Sequence, residues 1–243
     1  FKSGEKEEGK KIIENIQLLG FSDFEIEFAK VNRAGISAVH AKVIVPHEKT
    51  RRRLNKIESV INNSRLSELV KKRAIAIFTK LAEAEAKVHD IDIQKVHFHE
   101  VGAMDAIIDV VGACVGFEML EIEKFVCSKI QVGSGFVKMA HGKFPVPPPA
   151  VAEILKNAPI YSTEIEGELI TPTGAAIIST VCDEFGHIPE MRIEKTAYGA
   201  GTREYQDFPN VLRLMIGVQS PNAADNGQWT MDNLILIETN IDD

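Results

Sequence analysis

The apolar residues of this chain recur with two spacings, one helical and one alternating as in a β-strand, and segments of the two types follow one another irregularly. Residues 12–20 carry an apolar stripe at helical spacing that ends in Gly20. Residues 24–28 and 39–45 alternate on either side of a turn, which predicts a β-hairpin. Further helices are predicted at 54–61, 66–88, 104–120 and 173–185, and further strands at 125–132, 191–196, 211–218 and 234–238. This mixture predicts an α/β or α+β fold with a mixed sheet and flanking helices.

A polar segment at residues 220–228, rich in Asn, Ala, Asp and Gly, predicts a linker. We therefore expect residues 1–219 to form one ligand-binding domain and residues 229–243 to begin a truncated C-terminal domain. The proline-rich segment 145–149 predicts a rigid crossover into a helix. A polyproline ligand for an SH3-like partner is the less favoured alternative for that segment.

The charge and the cysteine content narrow the class of protein. A net charge of −7 and the lack of a Lys/Arg stripe with interleaved aromatic residues argue against a nucleic-acid binder. Cys114, Cys127 and Cys182 have no CxxC spacing, which favours reduced cysteines in a cytoplasmic protein. The longest apolar stretch, residues 106–117, is interrupted by Asp109 and is shorter than the roughly 20 residues that span a bilayer. A cytoplasmic protein that binds neither nucleic acid nor membrane is therefore expected.

Residues 96–109 concentrate metal-ligand chemistry. In an extended segment alternate side chains share a face, so His97 and His99 point the same way, while Asp105 and Asp109 stand one turn apart on the following helix. Together with Glu100 they suit a borderline divalent ion such as Ni, Zn or Fe. The equally weighted alternative is a hairpin end whose histidines are hydrogen-bonded and whose Asp105 favours the helix N-terminus electrostatically.

Three short segments have the composition of anion-binding loops. Gly133-Ser134-Gly135 follows a predicted strand and lets backbone N–H groups approach an anion, with Lys138 and His141 as nearby cations. Residues 198–202 also follow a strand, and a tight bend is the alternative there. Neither segment identifies a ligand by itself.

The third segment is the helix that begins near Thr171. Thr171, Thr173 and Gly174 would offer hydroxyls, free amides and the positive end of the helix dipole to an anion. Plain capping by Thr171, with Pro172 at the first helical position, is the preferred alternative. None of the three segments matches the P-loop or the dinucleotide fingerprint GxGxxG, so a nucleotide-like ligand is compatible with them and ordinary ATPase chemistry is not.

Four sequence blocks carry a resemblance to a known family. They are VHFHEVGAMDAIIDVVG, VGSGFVKMAHGKFPVPPPA, EGELITPTGAAI and YGAGT, in this order and spacing. From about Asp23 onward the chain resembles the LarC family of nickel insertion proteins, and the terminal ETNIDD resembles the opening of that family's C-terminal domain. The family's Gly- and Asp-containing block is missing before Phe1, and its His-rich loop is reduced to His47, which weakens the expectation of nickel storage.

The resemblance implies insertion of Ni(II) into pyridinium-3,5-bisthiocarboxylic acid mononucleotide, which completes the nickel-pincer cofactor of lactate racemase and related enzymes. The full-length protein would be a CTP-dependent nickel chelatase of the lyase class, with a divalent ion for CTP. Without the C-terminal domain the chain is not expected to turn over CTP. The expected partners are the pyridinium mononucleotide, a lactate racemase-type apo-enzyme and further copies of the same chain.

Combined with the motifs, the resemblance implies a role for each candidate residue. The ligands that would hold nickel until the softer sulfurs of the substrate take it are His97, His99, Glu100 and Asp105. The groups that would bind the substrate's phosphate and other anionic groups are Gly133, Ser134, Gly135, Lys138, Thr171, Thr173 and Gly174. Forming a Ni–C bond requires the pyridinium C4 proton to leave, so His141 or Glu168 would act as the base.

Two other classes of function remain open from the sequence. A non-catalytic nickel-binding chaperone module would need the histidines but not the anion-binding segments. A metal-dependent phosphoesterase would use the same His and Asp residues with a metal-activated water. Binding of a pyridinium mononucleotide argues against the first, and a nickel preference argues against the second.

Overall fold

The computed structural model describes residues 3–46, 52–98, 103–139, 142–219 and 233–239. In these ranges the elements are, in chain order, α1 (Ser3–Gln17), β1 (Glu25–Arg33), β2 (Ile36–Ile44), α2 (Leu54–Asn62), α3 (Glu68–His89), α4 (Met104–Met119), β3 (Lys124–Cys127), β4 (Ile130–Gln131), β5 (Gly133–Ser134), β6 (Phe136–Met139), β7 (Gly142–Pro145), α5 (Pro149–Ile154), β8 (Ile160–Tyr161), β9 (Gly167–Glu168), α6 (Pro172–Val181), β10 (Glu184–Phe185), β11 (Met191–Ala200), β12 (Val211–Gln219) and β13 (Asn233–Thr239).

Seven strands form one mixed sheet in the order β1-β2-β11-β12-β13-β3-β10. The pairs β1–β2, β11–β12 and β12–β13 are antiparallel, whereas β2–β11, β13–β3 and β3–β10 are parallel. Three small two-stranded sheets are formed by β4–β8, β5–β9 and β6–β7. The predicted mixed sheet with flanking helices is confirmed.

The helices form the main core with one face of the sheet. Helix α3 lies against α2, α4, α5 and α6, and the core joins their buried side chains to Ile235 and Ile237 of β13. The alternate residues Leu234 and Leu236 belong to a second, small cluster. A strand buried on both faces requires a continuous apolar run, which is what the sequence LILI at 234–237 supplies. Among the described residues no helix combines the length and the apolar character needed to cross a membrane.

Element ends differ from the predictions at several places, and at two of them tertiary hydrogen bonds end the element earlier than predicted. The strand predicted at 125–132 is divided, because β3 pairs with β13 whereas Ile130 donates its N–H to Pro159 O in a separate small sheet. The helix predicted at 173–185 ends at Val181. There Asp183 N donates to Phe125 O and Asp183 Oδ2 accepts from Phe125 N, so tertiary hydrogen bonds draw the chain into the sheet as β10.

Helix α3 begins at Glu68, two residues after its predicted start at 66, and of the two nearby serines, Ser64 and Ser67, it is Ser67 that caps it. The Ser67 hydroxyl accepts a hydrogen bond from Val70 N at 3.2 Å. Ser64 instead donates to Ile61 O at the end of α2.

The last described strand, β13, lies inside the main sheet, between β12 and β3. Its residues pair in register with β12 from Leu212–Thr239 to Val218–Asn233. From the sequence this strand was expected to begin a further domain, and the linker predicted at 220–228 lies outside the described residues. The division into domains therefore stays a prediction, while the strand itself completes the sheet of the preceding residues.

Candidate functional site

Of the four predicted metal ligands, His97 and Asp105 lie within the described residues, and His99 and Glu100 lie outside them. The Nε2 atom of His97 is 3.1 Å from Arg53 Nε and 2.9 Å from Arg53 Nη2. A guanidinium can only donate, so Nε2 accepts and carries a lone pair. The lone pair that a metal ion would use is therefore shared with a cation.

The hollow beside His97 is cationic. It has a volume of about 560 Å³, and its lining residues are Arg52, Arg53, Asn55, Lys56, Ser59, Val60 and His97. Positive side chains next to a histidine oppose the approach of a divalent cation. Metal binding at this nitrogen would require the Arg53 side chain to move away.

Asp105 stands in the first turn of α4, where its Oδ1 accepts a hydrogen bond from Ala106 N at 2.8 Å. Asp109 follows one turn later on the same face. The Asp109 side chain keeps contact with solvent. The surrounding protein nevertheless displaces water from its carboxyl group, and the charge of Asp105 repels its ionised form. Both effects together raise the pKa of Asp109 to about 6. A cation beside this carboxylate pair would stabilise the ionised form of Asp109 and offset its repulsion by Asp105.

The described residues do not by themselves complete a metal site. Within the ranges that the structure describes, no group of three His, Cys, Asp or Glu side chains could hold a metal ion. The hollow beside Asp105 is lined by β2, the residues that follow it and the start of α4, and shares no residue with the hollow beside His97. A nickel site here depends on His99 and Glu100, and it stays a prediction.

Two of the three predicted anion segments line one groove of about 560 Å³. One wall comes from the C-terminal half of α4, from Ala113 to Leu120, and the opposite wall from Leu169 and the start of α6. The floor consists of β11 and β12, with Gly199 and Gly201 of the YGAGT block among its residues. The groove is mostly apolar, and Gly116, Gly174 and Gly199 add no side chain that would narrow it. Residues 198–200 belong to strand β11, which excludes the tight-bend alternative for that part of the block.

The start of α6 has the geometry of an ordinary cap. The Thr171 hydroxyl accepts from Gly174 N at 3.2 Å, and Thr171 O accepts from Ala175 N at 2.9 Å. Pro172 has no N–H, so the first-turn amides begin with that of Thr173. The described residues provide no hydrogen-bond acceptor for the Thr173 N–H. Capping leaves room for one amide contact with an anion at the edge of the groove.

The third segment, Gly133-Ser134-Gly135, lies next to this groove in a tight two-stranded ribbon. Gly133 pairs with Glu168 and has φ of 87°, and a Cβ atom there would stand 1.9 Å from Gly167 O. The Ser134 hydroxyl donates to Ile165 O at 2.8 Å. The ribbon is joined to the groove wall because Leu169 N donates to Val132 O. Glycine is thus required here first of all by close approach of two backbones.

Two of the remaining predicted residues, Glu168 and Lys138, lie in or beside the same ribbon. Lys138 is exposed on β6, directly opposite Lys143 of β7. His141 lies outside the described residues. Glu168 is half-buried in β9, next to the groove residue Leu169, and its Oε1 is shut off from solvent. The predicted phosphate ligands and the predicted base Glu168 are therefore brought together.

Arg203 and Tyr205 lie beside Gly167 and were not predicted as site residues from the sequence. A Cβ atom at Gly167 would stand 3.1 Å from both Arg203 Nη1 and the Tyr205 hydroxyl. The Tyr205 hydroxyl is buried and has no hydrogen-bond partner among the described residues, although buried hydroxyls normally have one. Both residues follow the YGAGT block directly, and this adjacency was the only sequence signal for them.

A buried arginine holds this loop in place. Arg33 donates to Gly201 O from Nε at 3.2 Å and from Nη2 at 3.1 Å, and its Nη1 pairs with Glu204 at 2.7 Å. The loop after β11 is thereby fixed to the β1–β2 hairpin. Arg33 thus positions the floor of the groove from a distant part of the sequence.

Asp105 and the groove lie toward opposite ends of α4. Asp105 stands in its first turn, whereas the groove begins at Ala113. At 1.5 Å per residue these positions are about 12 Å apart along the helix axis. A nickel ion held at Asp105 would have to travel, or the substrate would have to extend, over this distance.

The family profile and the similar curated proteins all point to the same family. The sequence profile described as nickel insertion protein matches residues 5–243. The chain is similar to the pyridinium-3,5-bisthiocarboxylic acid mononucleotide nickel insertion protein of Desulfitobacterium hafniense (strain DSM 10664 / DCB-2), with 45% identity over 225 residues, which is 93% of this chain and 56% of that protein. The protein of the same name from Thermotoga sp. (strain RQ2) is 44% identical over 237 residues, covering 91% of this chain and 56% of the relative.

A putative nickel insertion protein of Geotalea daltonii is 44% identical over 222 residues, or 91% of this chain and 55% of the relative. The chain thus spans about half the length of the curated relatives it matches. No solved structure matches it.

Proposed function

Because the chain belongs to the nickel insertion protein family, we propose that it takes part in inserting Ni(II) into pyridinium-3,5-bisthiocarboxylic acid mononucleotide to give the nickel-pincer cofactor. The observation that carries the proposal is the convergence of three separate glycine-containing segments on one groove and its rim. These segments are far apart in sequence and each is a weak signal alone. Their meeting supports a single small-molecule site.

The groove suits the substrate's ring. Its volume of about 560 Å³ lies in the range of roughly 300–1,000 Å³ that is typical of small-molecule pockets. The groove is lined by apolar residues and glycines, which leaves space for a flat aromatic ring. The anionic groups around that ring would be bound by the Thr173 amide, the ribbon at Gly133–Gly135 and Lys138.

Nickel is cargo in this reaction, and its proposed ligands are His97, His99, Glu100 and Asp105. The soft sulfurs of the two thiocarboxylates bind Ni(II) more tightly than imidazole and carboxylate do, so transfer of the ion to the substrate is favourable. Arg53 would have to leave Nε2 of His97 when nickel binds there. We therefore propose that Arg53 competes with nickel for this histidine.

Forming the Ni–C bond requires a base. The pyridinium C4–H bond breaks as the Ni–C bond forms, and the proton passes to a side chain beside the ring. Glu168, adjacent to the groove wall, is one candidate and His141 is the other. The 12 Å or so between Asp105 and the groove along α4 favours a base that belongs to the substrate end, as Glu168 does.

The wider setting is also a proposal. We expect CTP hydrolysis, with its divalent ion, to need the C-terminal domain that the resemblance implies. The isolated chain should therefore not turn over CTP. We further propose a lyase-type activity, with a lactate racemase-type apo-enzyme as the recipient of the cofactor. The protein would act as a homo-oligomer in the cytoplasm.

Anaerobic calorimetry tests the proposal, with Ni(II) titrated first and a pyridinium mononucleotide second. The His97→Ala/His99→Ala double variant should lose tight nickel binding and keep nucleotide binding, whereas His187→Ala, an exposed histidine elsewhere, should change neither. Nickel binding without any nucleotide binding would favour a chaperone module. Release of phosphate from generic esters without nickel preference would favour a phosphoesterase.

A further inference from the structure

The β6–β7 hairpin is unusually basic for this protein. Residues 124–152 contain four lysines and neither Asp nor Glu, although the whole chain has 35 acidic residues and a net charge of −7. Lys138 and Lys143 lie in the hairpin itself. The hairpin strands themselves thus carry two positive side chains and no negative one, although Glu166 lies beside Gly135 at their base.

One face of the hairpin carries both lysines and an exposed ring. Lys138 and Lys143 are direct cross-strand partners, and Phe136 lies two residues before Lys138 on the same face. The Lys143 Nζ atom is 4.6 Å from the centroid of the Phe136 ring. Phe136 is 61% exposed, more than any other large hydrophobic residue that the structure describes. The opposite face, with Val137, Met139 and Phe144, is half-buried.

Apart from the contact of Lys143 with Phe136, this arrangement adds little to the stability of the hairpin. Like charges directly opposite each other on a β-ribbon are destabilising, and the exposed Phe136 ring gains little from burial. The same arrangement fits a ligand that combines a cationic aromatic ring with anionic substituents. The ammonium of Lys143 already occupies the position over Phe136 that such a ring would take.

We propose that this face recognises the pyridinium nucleotide, with the pyridinium ring on Phe136 and the phosphate between Lys138 and Lys143. The proposal rests on the proposed function and adds Phe136 and Lys143 as specificity-determining residues. When the ring binds, Lys143 leaves Phe136 and turns to the phosphate, so one side chain exchanges a cation–π contact for a charge-assisted hydrogen bond. Diagonal neighbours on a β-ribbon lie roughly 7–8 Å apart, a span that one ribose bridges.

The position of the hairpin supports this assignment. Strand β6 contacts β9, the strand that contains Gly167 and Glu168. Gly135 O, just before β6, accepts from Val146 N just after β7, which closes the base of the hairpin. The hairpin therefore lies beside the strand that leads into the groove residue Leu169, and a nucleotide bound on its basic face would be held near the groove.

The test compares two ligands that differ in the charge of the ring, nicotinamide mononucleotide and its reduced 1,4-dihydro form. Calorimetric titration of the unmodified chain should show tighter binding of the oxidised nucleotide. Phe136→Leu should reduce that preference by about three- to thirtyfold, the range that corresponds to a cation–π contact, and Phe136→Trp should keep it. Lys143→Gln and Lys138→Gln should each weaken both ligands by about tenfold or more.

Lys195→Gln is the matched control, since it removes the same charge from an exposed position on β11. Thermal melting of each variant separates misfolding from lost recognition, and Phe136→Trp preserves an aromatic ring if Phe136→Leu melts early. If the oxidised nucleotide binds and no hairpin variant changes its affinity, this proposal is overturned and the proposed function stands. If the unmodified chain binds neither nucleotide at millimolar concentration, the hairpin proposal and the substrate assignment fall together, while nickel binding is judged separately.

Discussion

Arg53 donates two hydrogen bonds to Nε2 of His97, although the two residues are 44 positions apart in the sequence. The contact joins the start of α2 to the segment that carries the predicted metal ligands. A metal ion that bound this nitrogen would have to displace a positive side chain. Nickel affinity should therefore depend on a residue that is not itself a ligand.

Arg53→Gln should raise the affinity of the chain for Ni(II) by about three- to tenfold, because it removes both the competing donor and about 1 kcal/mol of charge repulsion. Lys56→Gln is the control, since it removes a charge from the same hollow without a bond to His97, and its effect should be smaller. Anaerobic calorimetry measures both. Equal affinity in Arg53→Gln and the unmodified chain would show that Nε2 of His97 does not bind the metal.

Asp109→Asn should raise the melting temperature at pH 7.5 and have little effect below pH 4. The pKa of Asp109 is raised from 3.8 to about 6 by partial desolvation of its carboxyl group and by the charge of Asp105, so the folded state binds this proton more tightly than the unfolded state. The resulting stabilisation is fully present below the unfolded pKa and is lost as the pH rises through about 6. Melting curves across this range check the sign. Asp105→Asn should shift the loss to lower pH, and a pH-independent difference would contradict the explanation.

Gly133→Ala should destabilise the protein by about 3 kcal/mol or more, because its Cβ atom would collide with Gly167 O and its φ is positive. Gly186→Ala is the matched control, since a Cβ atom there meets nothing within 4 Å. Chemical denaturation measures both free energies of unfolding. A tolerated alanine at Gly133 would mean that the β5–β9 ribbon can open without cost.

Gly174→Val should fold normally and bind the mononucleotide weakly. A Cβ atom at Gly174 would lie 3.5 Å from Thr171 Oγ1, an ordinary contact, and valine is no worse than glycine in a helix. The added side chain would fill part of the groove that Gly174 lines. Melting and ligand titration of the same variant decide the matter. Parallel loss of stability and binding would identify Gly174 as a packing residue.

Tyr205→Phe should leave the melting temperature unchanged or slightly higher, because the lost hydroxyl has no hydrogen-bond partner among the described residues and the ring keeps its edge contact with Phe208. Binding of nicotinamide mononucleotide should weaken by about three- to tenfold if the hydroxyl donates to the ligand. Calorimetry gives the affinity. Unchanged binding would place Tyr205 outside the substrate site.

Several elements were predictable because their causes are local. The hairpin of β1 and β2 follows from alternation around a turn in which Gly35 adopts φ of 88°. Helix α4 follows from apolar spacing. The resemblance to the family also rested on sequence alone, and the family match over residues 5–243 confirms it.

The extents of two elements were not predictable, because hydrogen bonds from distant strands decided them. Propensity would continue the strand beyond Cys127 and the helix beyond Val181, but pairing with β13 and β8, and of Asp183 with Phe125, ends both. Local preference is worth tenths of a kcal/mol per residue, and a set of buried hydrogen bonds outweighs it.

For this protein the sequence by itself determined the types of most elements and the family, since periodicity and motif blocks are written in consecutive residues. Only the tertiary structure decided which candidate segments meet. The YGAGT block reaches the start of α6 because β11 and β12 form the floor beneath α4 and α6, and Arg53 reaches His97 because α2 packs beside the segment after α3. Such contacts join residues tens of positions apart, and they arise from burying one shared core, which no short stretch of sequence encodes.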